Sequence, residues 1–377
     1  MSAMSLADLP DPTLAPGARH PRETLALVGQ FRAEADFLDA FNTERLHHGW
    51  LLSGPRGVGK ATMAWRIARF LLTRPEGDDS GLFGAPEAPT SLDPDPAHPA
   101  LSRILAGSEP GIFTLKRGAN ATESALSQEI RVDEVRKLKS FLHLSSTEGG
   151  RRVVIVDAAD ELNVQAANAL LKLLEEPPAR VTFLLIAHQP ARLLPTIRSR
   201  CRELRLGTLE PDEMAAALAA ADEDGTPPNL DTHALAALSG GSVGAAIRLI
   251  NLEGMTRYAN LIKLMATLPR LDRIGALQLA EACAGKANEP RYDLILGLIE
   301  LFLARTARAG VAGPPEPQAA PGEAELLARL SPNEQAAMKW AELHQKLGAR
   351  ARHGRAVNLD PAALVMDIVL EISDAAS

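Results

Sequence analysis

Only two cysteines, Cys201 and Cys283, occur in the 377 residues, and they are too far apart to read as a C-x-x-C zinc pattern. Two free thiols favour a reducing compartment, so the plain expectation is a cytoplasmic protein. Apolar runs are short. None approaches the roughly 18 residues that a membrane-spanning helix requires, and no membrane role is expected. The opening MSAMSLADLPDPTLAPGARHP is acidic and proline-rich, with neither a basic start nor an apolar stretch, and does not read as a secretory signal. Excess positive charge is missing as well. Lys and Arg total 40 against 47 Asp and Glu, a formal net charge of −7. Coating nucleic acid by bulk electrostatics needs clustered cations that displace counterions, so a stand-alone nucleic-acid binder is disfavoured and any DNA contact must be local or shared.

What remains has ordinary globular composition, 46% hydrophobic and 23% charged. The length suits two or three domains at roughly 150 residues each. AEADFLDAFNTERL (33–46) places Phe37, Leu38 and Phe41 at helical spacing, and the helix is expected to fray before Leu46. GWLLSG (49–54) reads as a buried strand, and KATMAWRIARFLL (60–72) as a helix with Met63, Ile67, Phe70 and Leu71 near one face. Residues 73–110, rich in Pro, Gly and Asp, read as an inserted surface excursion in which His98 is solvated. Strands are expected at 111–115, 151–157, 181–187 and 202–206, with helices at 131–144 and 164–176, the latter stopped by Pro177 and Pro178. The unbroken Val and Ile run of RRVVIVD marks a strand covered on both faces. Such alternation predicts an α/β domain with a parallel sheet over 1–207. From 208 onward only helices are expected: a small lid over 208–254, with Asp231 and Ser242 as N-caps, then an all-α domain over 255–377 interrupted by a Pro-rich loop at 312–323.

The most informative stretch is GPRGVGKAT (54–62), lying between the strand and the helix. It meets the phosphate-loop pattern G-x-x-x-x-G-K-[ST] at Gly54, Gly59 and Lys60, while Pro55, Arg56, Gly57 and Val58 fill the loop. Ala61 stands where the Mg²⁺-binding hydroxyl belongs. Thr62 follows one residue late, about 100° further around the helix, and is not expected to replace it. Backbone N–H groups at such a loop suit phosphate whatever the side chains, so ATP or ADP could bind without being hydrolysed. Asp157 ends its strand where a metal-directed aspartate would sit, but Ala158 follows it. Asp160 and Glu161 are the nearby carboxylates that an active ATPase would have to recruit instead. Two alanines at two catalytic positions suggest a P-loop fold freed from hydrolysis. An active P-loop ATPase rescued by Asp160, Glu161 or Thr62 is the alternative.

LHHGWLLSGPRGVGKAT, VVIVDAADELNVQAANALLKLLEEPP and LLPTIRSRC, in this order, resemble the bacterial clamp-loader AAA+ family, the delta-prime and gamma/tau subunits of DNA polymerase III, over roughly residues 20–250. That resemblance implies a P-loop domain, a helical lid and a collar that joins five subunits, gamma/tau and delta among them, into a ring acting on a sliding clamp and primer-template DNA. Four departures, Ala61, Ala158, Ala187 followed by His188, and Gly244 in GSVG (241–244), resemble the delta-prime branch rather than the hydrolysing one. The SRC stretch implies that Arg200 is an arginine finger, catalytic only in trans on a neighbour's ATP. An arginine paired on the surface with Glu203 or another carboxylate is the structural reading of the same residue, and Arg198 and Arg202 flank it. Family members often carry a four-cysteine zinc module after the P-loop helix. Residues 73–110 hold no cysteine, so no zinc is expected. Cys201 reads as a small packed hydrophobe. In LLKLLEEPP, Leu170, Leu171, Leu173 and Leu174 read as core, while Lys172, Glu175 and Glu176 serve either subunit contacts or a solvated face. Leu294, Leu298, Leu301 and Phe302 belong either to a self-contained helical core or to a seam that needs partners.

Overall fold

The structure, a computed structural model, describes residues 11–14, 16–74, 88–120, 125–143, 150–221 and 230–376. Residues 75–87 of the expected excursion and 222–229 of the expected lid lie outside that set. The chain forms two compact units, Met1–Thr226 with Ser242–Gly244, and Pro227–Gly241 with Ala245–Ser377.

The first unit is built on five strands: β1 (Gly49–Ser53), β2 (Ile112–Lys116), β3 (Arg152–Asp157), β4 (Val181–Ala187) and β5 (Arg202–Arg205). They lie in the order β2-β3-β4-β1-β5, and every pair is parallel. Its helices are α1 (Phe31–Asn42), α2 (Lys60–Leu72), α3 (Pro99–Leu105), α4 (Val132–His143), α5 (Val164–Glu175), the short α6 (Pro195–Arg198) and α7 (Pro211–Ala221). Side chains alternate across a strand, and here both faces are apolar. Trp50, Leu52, Val153, Ile155, Leu184 and Ile186 point into one core with α1, α2 and α3. Leu51, Val154, Val156, Phe183 and Leu185 point into the other with α4 and α5. The sheet is thus sandwiched between helical layers.

The expected strands and helices form with end shifts of one to a few residues, and α1 stops at Asn42. Residues 88–110 are more than a surface excursion. Leu92, Ala100 and Ile104 are buried in the first core. His98 is not simply solvated: its ring nitrogen accepts the Ala100 N–H at 3.2 Å and caps α3. A short helix with two inward residues has no sustained period, so it was invisible as a pattern.

The described regular elements of the second unit include α8 (Thr232–Ser239), most of α9 (Val243–Asn251), α10 (Gly254–Ala266), α11 (Arg273–Glu281), α12 (Glu289–Ala312), α13 (Glu323–Leu330), α14 (Glu334–Ala356) and α15 (Pro361–Ala375), and none is a strand. Asp231 caps α8 by accepting the Ala234 N–H at 3.0 Å. Leu294, Leu298 and Phe302 on α12 are buried, while Leu301 is half-buried. The Pro-rich connection contributes to this core, contrary to its composition: Ala319, Ala320 and Glu323 are buried. Glu323, fully enclosed, accepts from Tyr258 at 2.6 Å, from Arg305 Nε at 2.6 Å and Nη2 at 3.0 Å, and from the Ala319 N–H at 2.6 Å. No single described helix is long and apolar enough to cross a membrane.

A phosphate-type loop and an arginine at the sheet end

Gly54, Gly57 and Gly59 all adopt positive φ, at 140°, 78° and 98°. At Gly54 a Cβ would stand 2.3 Å from the Leu206 carbonyl oxygen, because β1 leaves the sheet directly against the end of β5. Gly59 is the left-handed residue preceding α2, so the loop enters the helix with its first-turn amides toward the loop. Gln30, which the sequence reading overlooked, anchors this turn. Its amide donates to Val58 O at 3.2 Å and Gly207 O at 3.0 Å, and accepts the Gly207 N–H at 3.1 Å.

Lys60 is 3% exposed and folds back on its own loop, donating to Gly54 O at 2.7 Å and Pro55 O at 2.5 Å. Burial lowers its ammonium to about 8, against the pull of Asp160 and Asp157. Ala61 packs on the first apolar core. At the end of β3, burial pushes Asp157 up to about 7, assisted by Glu161 and opposed by Lys60 and Arg56. Ala158 and Ala187 are buried and bring no polar atom. His188 follows β4, and burial together with Lys60 and Arg56 drops its imidazole to about 4, so it is neutral beside the loop.

The carboxylates that could have stood in are already engaged. Asp160 accepts the backbone N–H groups of His188 at 3.1 Å and Gln189 at 3.0 Å, holding the turn after β4. Glu161 pairs with Arg117 at 2.8 Å and Arg56 at 3.4 Å. Ser242 donates its hydroxyl to Arg56 O at 2.9 Å, and the Gly244 N–H donates to Gly57 O at 3.0 Å. A Cβ on Gly57 would meet Ser242 Oγ at 2.4 Å, and one on Gly244 would meet Gly57 Cα at 3.0 Å. At Gly244 the bare backbone lets residues 242–244 lie on the loop. With no hydroxyl at 61 and with Asp160 and Glu161 engaged by other partners, the residues present fit a magnesium-bound nucleotide poorly.

Arg200 lies elsewhere in the unit, after α6. Its Nη2 pairs with Glu175 at 2.9 Å, and its Nη1 donates to Thr196 O at 3.0 Å. Glu203, one of the carboxylates the sequence offered, is taken by the Ser53 hydroxyl at 2.5 Å, so the surface pairing forms with another carboxylate, Glu175. Arg202 lies over the Trp50 ring, 5.3 Å from its centroid, and Arg198 is exposed. Cys201 packs against the second core, and burial pushes its thiol up to about 12, far from nucleophilic. Among the described residues no group of His, Cys, Asp and Glu could hold a metal ion.

A protein-family profile described as "DNA polymerase III, delta subunit" matches residues 29–210. The DNA polymerase III subunit delta' of Pseudomonas aeruginosa is 37% identical over 249 residues, 62% of this chain and 65% of that protein. The Escherichia coli subunit delta' is 32% identical over 60% of this chain and 61% of its own length. A gamma/tau subunit from Mycobacterium bovis is 28% identical over 78% of this chain and 52% of its own length. The aligned regions thus span under two thirds of these relatives. Residues 29–210 thus resemble the DNA polymerase III delta-subunit family, and the chain is similar to delta-prime subunits and, at lower identity, to a gamma/tau subunit.

Proposed function

We propose that this chain is the delta-prime-type subunit of a clamp loader in the cytoplasm. It joins gamma/tau and delta subunits in a five-membered ring that places a sliding clamp on primer-template DNA, and it contributes a finger rather than a motor. The observation that carries this reading is the internal closure of the phosphate loop: Lys60 is bonded to Gly54 O and Pro55 O, and the carboxylates beside Asp157 are engaged elsewhere. A nucleotide would have to displace Lys60 from two carbonyls and find no hydroxyl at Ala61 to help hold its metal. Turnover by this chain is therefore expected to be negligible, and neither nucleotide nor zinc is needed for its role. The all-helical 255–377 region serves as the collar.

Arg200 would reach the ATP held by an adjacent subunit. A guanidinium there offsets charge developing on the transferring phosphoryl group, an effect of about 10³–10⁵ in rate for other nucleoside triphosphatases. The decisive experiment is clamp-stimulated ATP hydrolysis by a reconstituted loader, with wild type beside Arg200→Ala and the isolated chain in parallel. A silent isolated chain, together with an intact complex slowed by Arg200→Ala, is the expected result. Magnesium-dependent hydrolysis by the isolated chain, abolished by Lys60→Ala, would establish the motor reading instead.

A further inference from the structure

Glu175 is the last residue of α5, and Glu176, Pro177 and Pro178 follow it. The carbonyl end of a helix carries partial negative charge, so two successive carboxylates there oppose the dipole. At Glu175 the opposition is relieved by one cation, Arg200, at 2.9 Å. The backbones that carry the two side chains are also fixed relative to each other. A Cβ on Gly49 would lie 3.1 Å from Arg200 O, 3.3 Å from Cys201 Sγ and 3.4 Å from Leu174 Cδ2, so β1 is wedged between the end of α5 and the SRC turn. His48 Nε2 bonds Leu174 O at 3.0 Å and ties the start of β1 to the same helix end.

We propose that Glu175 is the positioning residue of Arg200, aiming its guanidinium outward as a finger; the inference rests on the finger reading above. Two contacts, to Glu175 and to Thr196 O, fix two of the five guanidinium N–H groups and leave donors for a phosphate. A long side chain held at two points loses less freedom on engaging its target, which is the advantage of preorganisation. Because both side chains remain partly exposed, the pair is weak enough to adjust when a more highly charged phosphate arrives.

The test uses the reconstituted loader with ATP, sliding clamp and primed DNA, comparing Glu175→Gln, Glu175→Asp, Arg200→Ala and the double variant Glu175→Gln/Arg200→Ala. Glu175→Gln should lower kcat about 3–10-fold while KM for ATP changes less than about twofold, the signature of an interaction used in the transition state. Glu175→Asp should recover much of the rate, and Glu175→Gln should add less than about twofold to Arg200→Ala, since the two act as one unit. Wild-type kinetics for Glu175→Gln beside a slow Arg200→Ala would overturn this inference and leave the finger standing. Fully multiplicative losses would also overturn it, because Glu175 would then act apart from Arg200. A fast Arg200→Ala loader would remove the finger itself.

Discussion

Asp157 and Lys60 show how single residues of a familiar motif change character when nothing completes the site. In the folded chain burial raises the Asp157 carboxyl to about 7, above its ordinary value of 3.8. Between those values the folded state keeps a proton that the unfolded state releases. Stability attributable to this residue is therefore full below about pH 4, falls as pH rises toward 7 and levels off above it. Asp157→Asn should be spared that loss. Its stability advantage in urea should grow through this window to roughly 2–4 kcal/mol and then stay constant. An advantage that does not vary with pH would show that Asp157 is not the buried acid described here.

At the scale of elements, two junctions carry the geometry. The first is the exit of β1, where a Cβ on Gly54, at φ 140°, would stand 2.3 Å from Leu206 O. Gly54→Ala must move the end of β5 or the loop, and is expected to cost at least about 2 kcal/mol in the urea unfolding of the first unit. A midpoint unchanged from wild type would mean that this approach is loose. The second is the Glu323 junction of α10, α12 and α13. Removing the buried carboxylate with Glu323→Ala leaves Arg305 and Tyr258 facing each other without it, an expected loss of about 3–5 kcal/mol. Tyr258→Phe, which deletes one bond, should cost about 1 kcal/mol. Comparable losses from both substitutions would contradict this ranking. Neither junction was legible as a pattern, because each joins residues far apart in sequence: Gly54 with Leu206, and Tyr258 with Glu323.

For the whole molecule, the proposed collar makes a demand on the second unit. Ile274 and Leu277 on α11 are 72% and 48% exposed, one turn apart on a helix that also packs against α15. Ile274→Glu with Leu277→Glu should leave the isolated chain folded but reduce its entry into a loader, read by size-exclusion chromatography of the mixed subunits. Undiminished assembly would place the collar contact elsewhere. The sequence alone determined the kind of molecule: Gly54, Gly59 and Lys60 between a strand and a helix, the apolar runs that became β3 and β4, Pro177 and Pro178 after α5, and the alanines at 61 and 158. These are local signals, readable because glycine, proline and hydrophobic period act over a few residues. The tertiary structure decided which groups are available. It turned Lys60 onto its own loop, assigned Asp160 and Glu161 to other partners, gave Gln30 its anchoring role, drew His98 and Ile104 into order and paired Arg200 with Glu175 rather than Glu203. Apart from the local bonds of Lys60 and His98, these hydrogen bonds and ion pairs join segments more than twenty residues apart that meet only when the sheet and its helices assemble, so no neighbourhood in the chain could announce them.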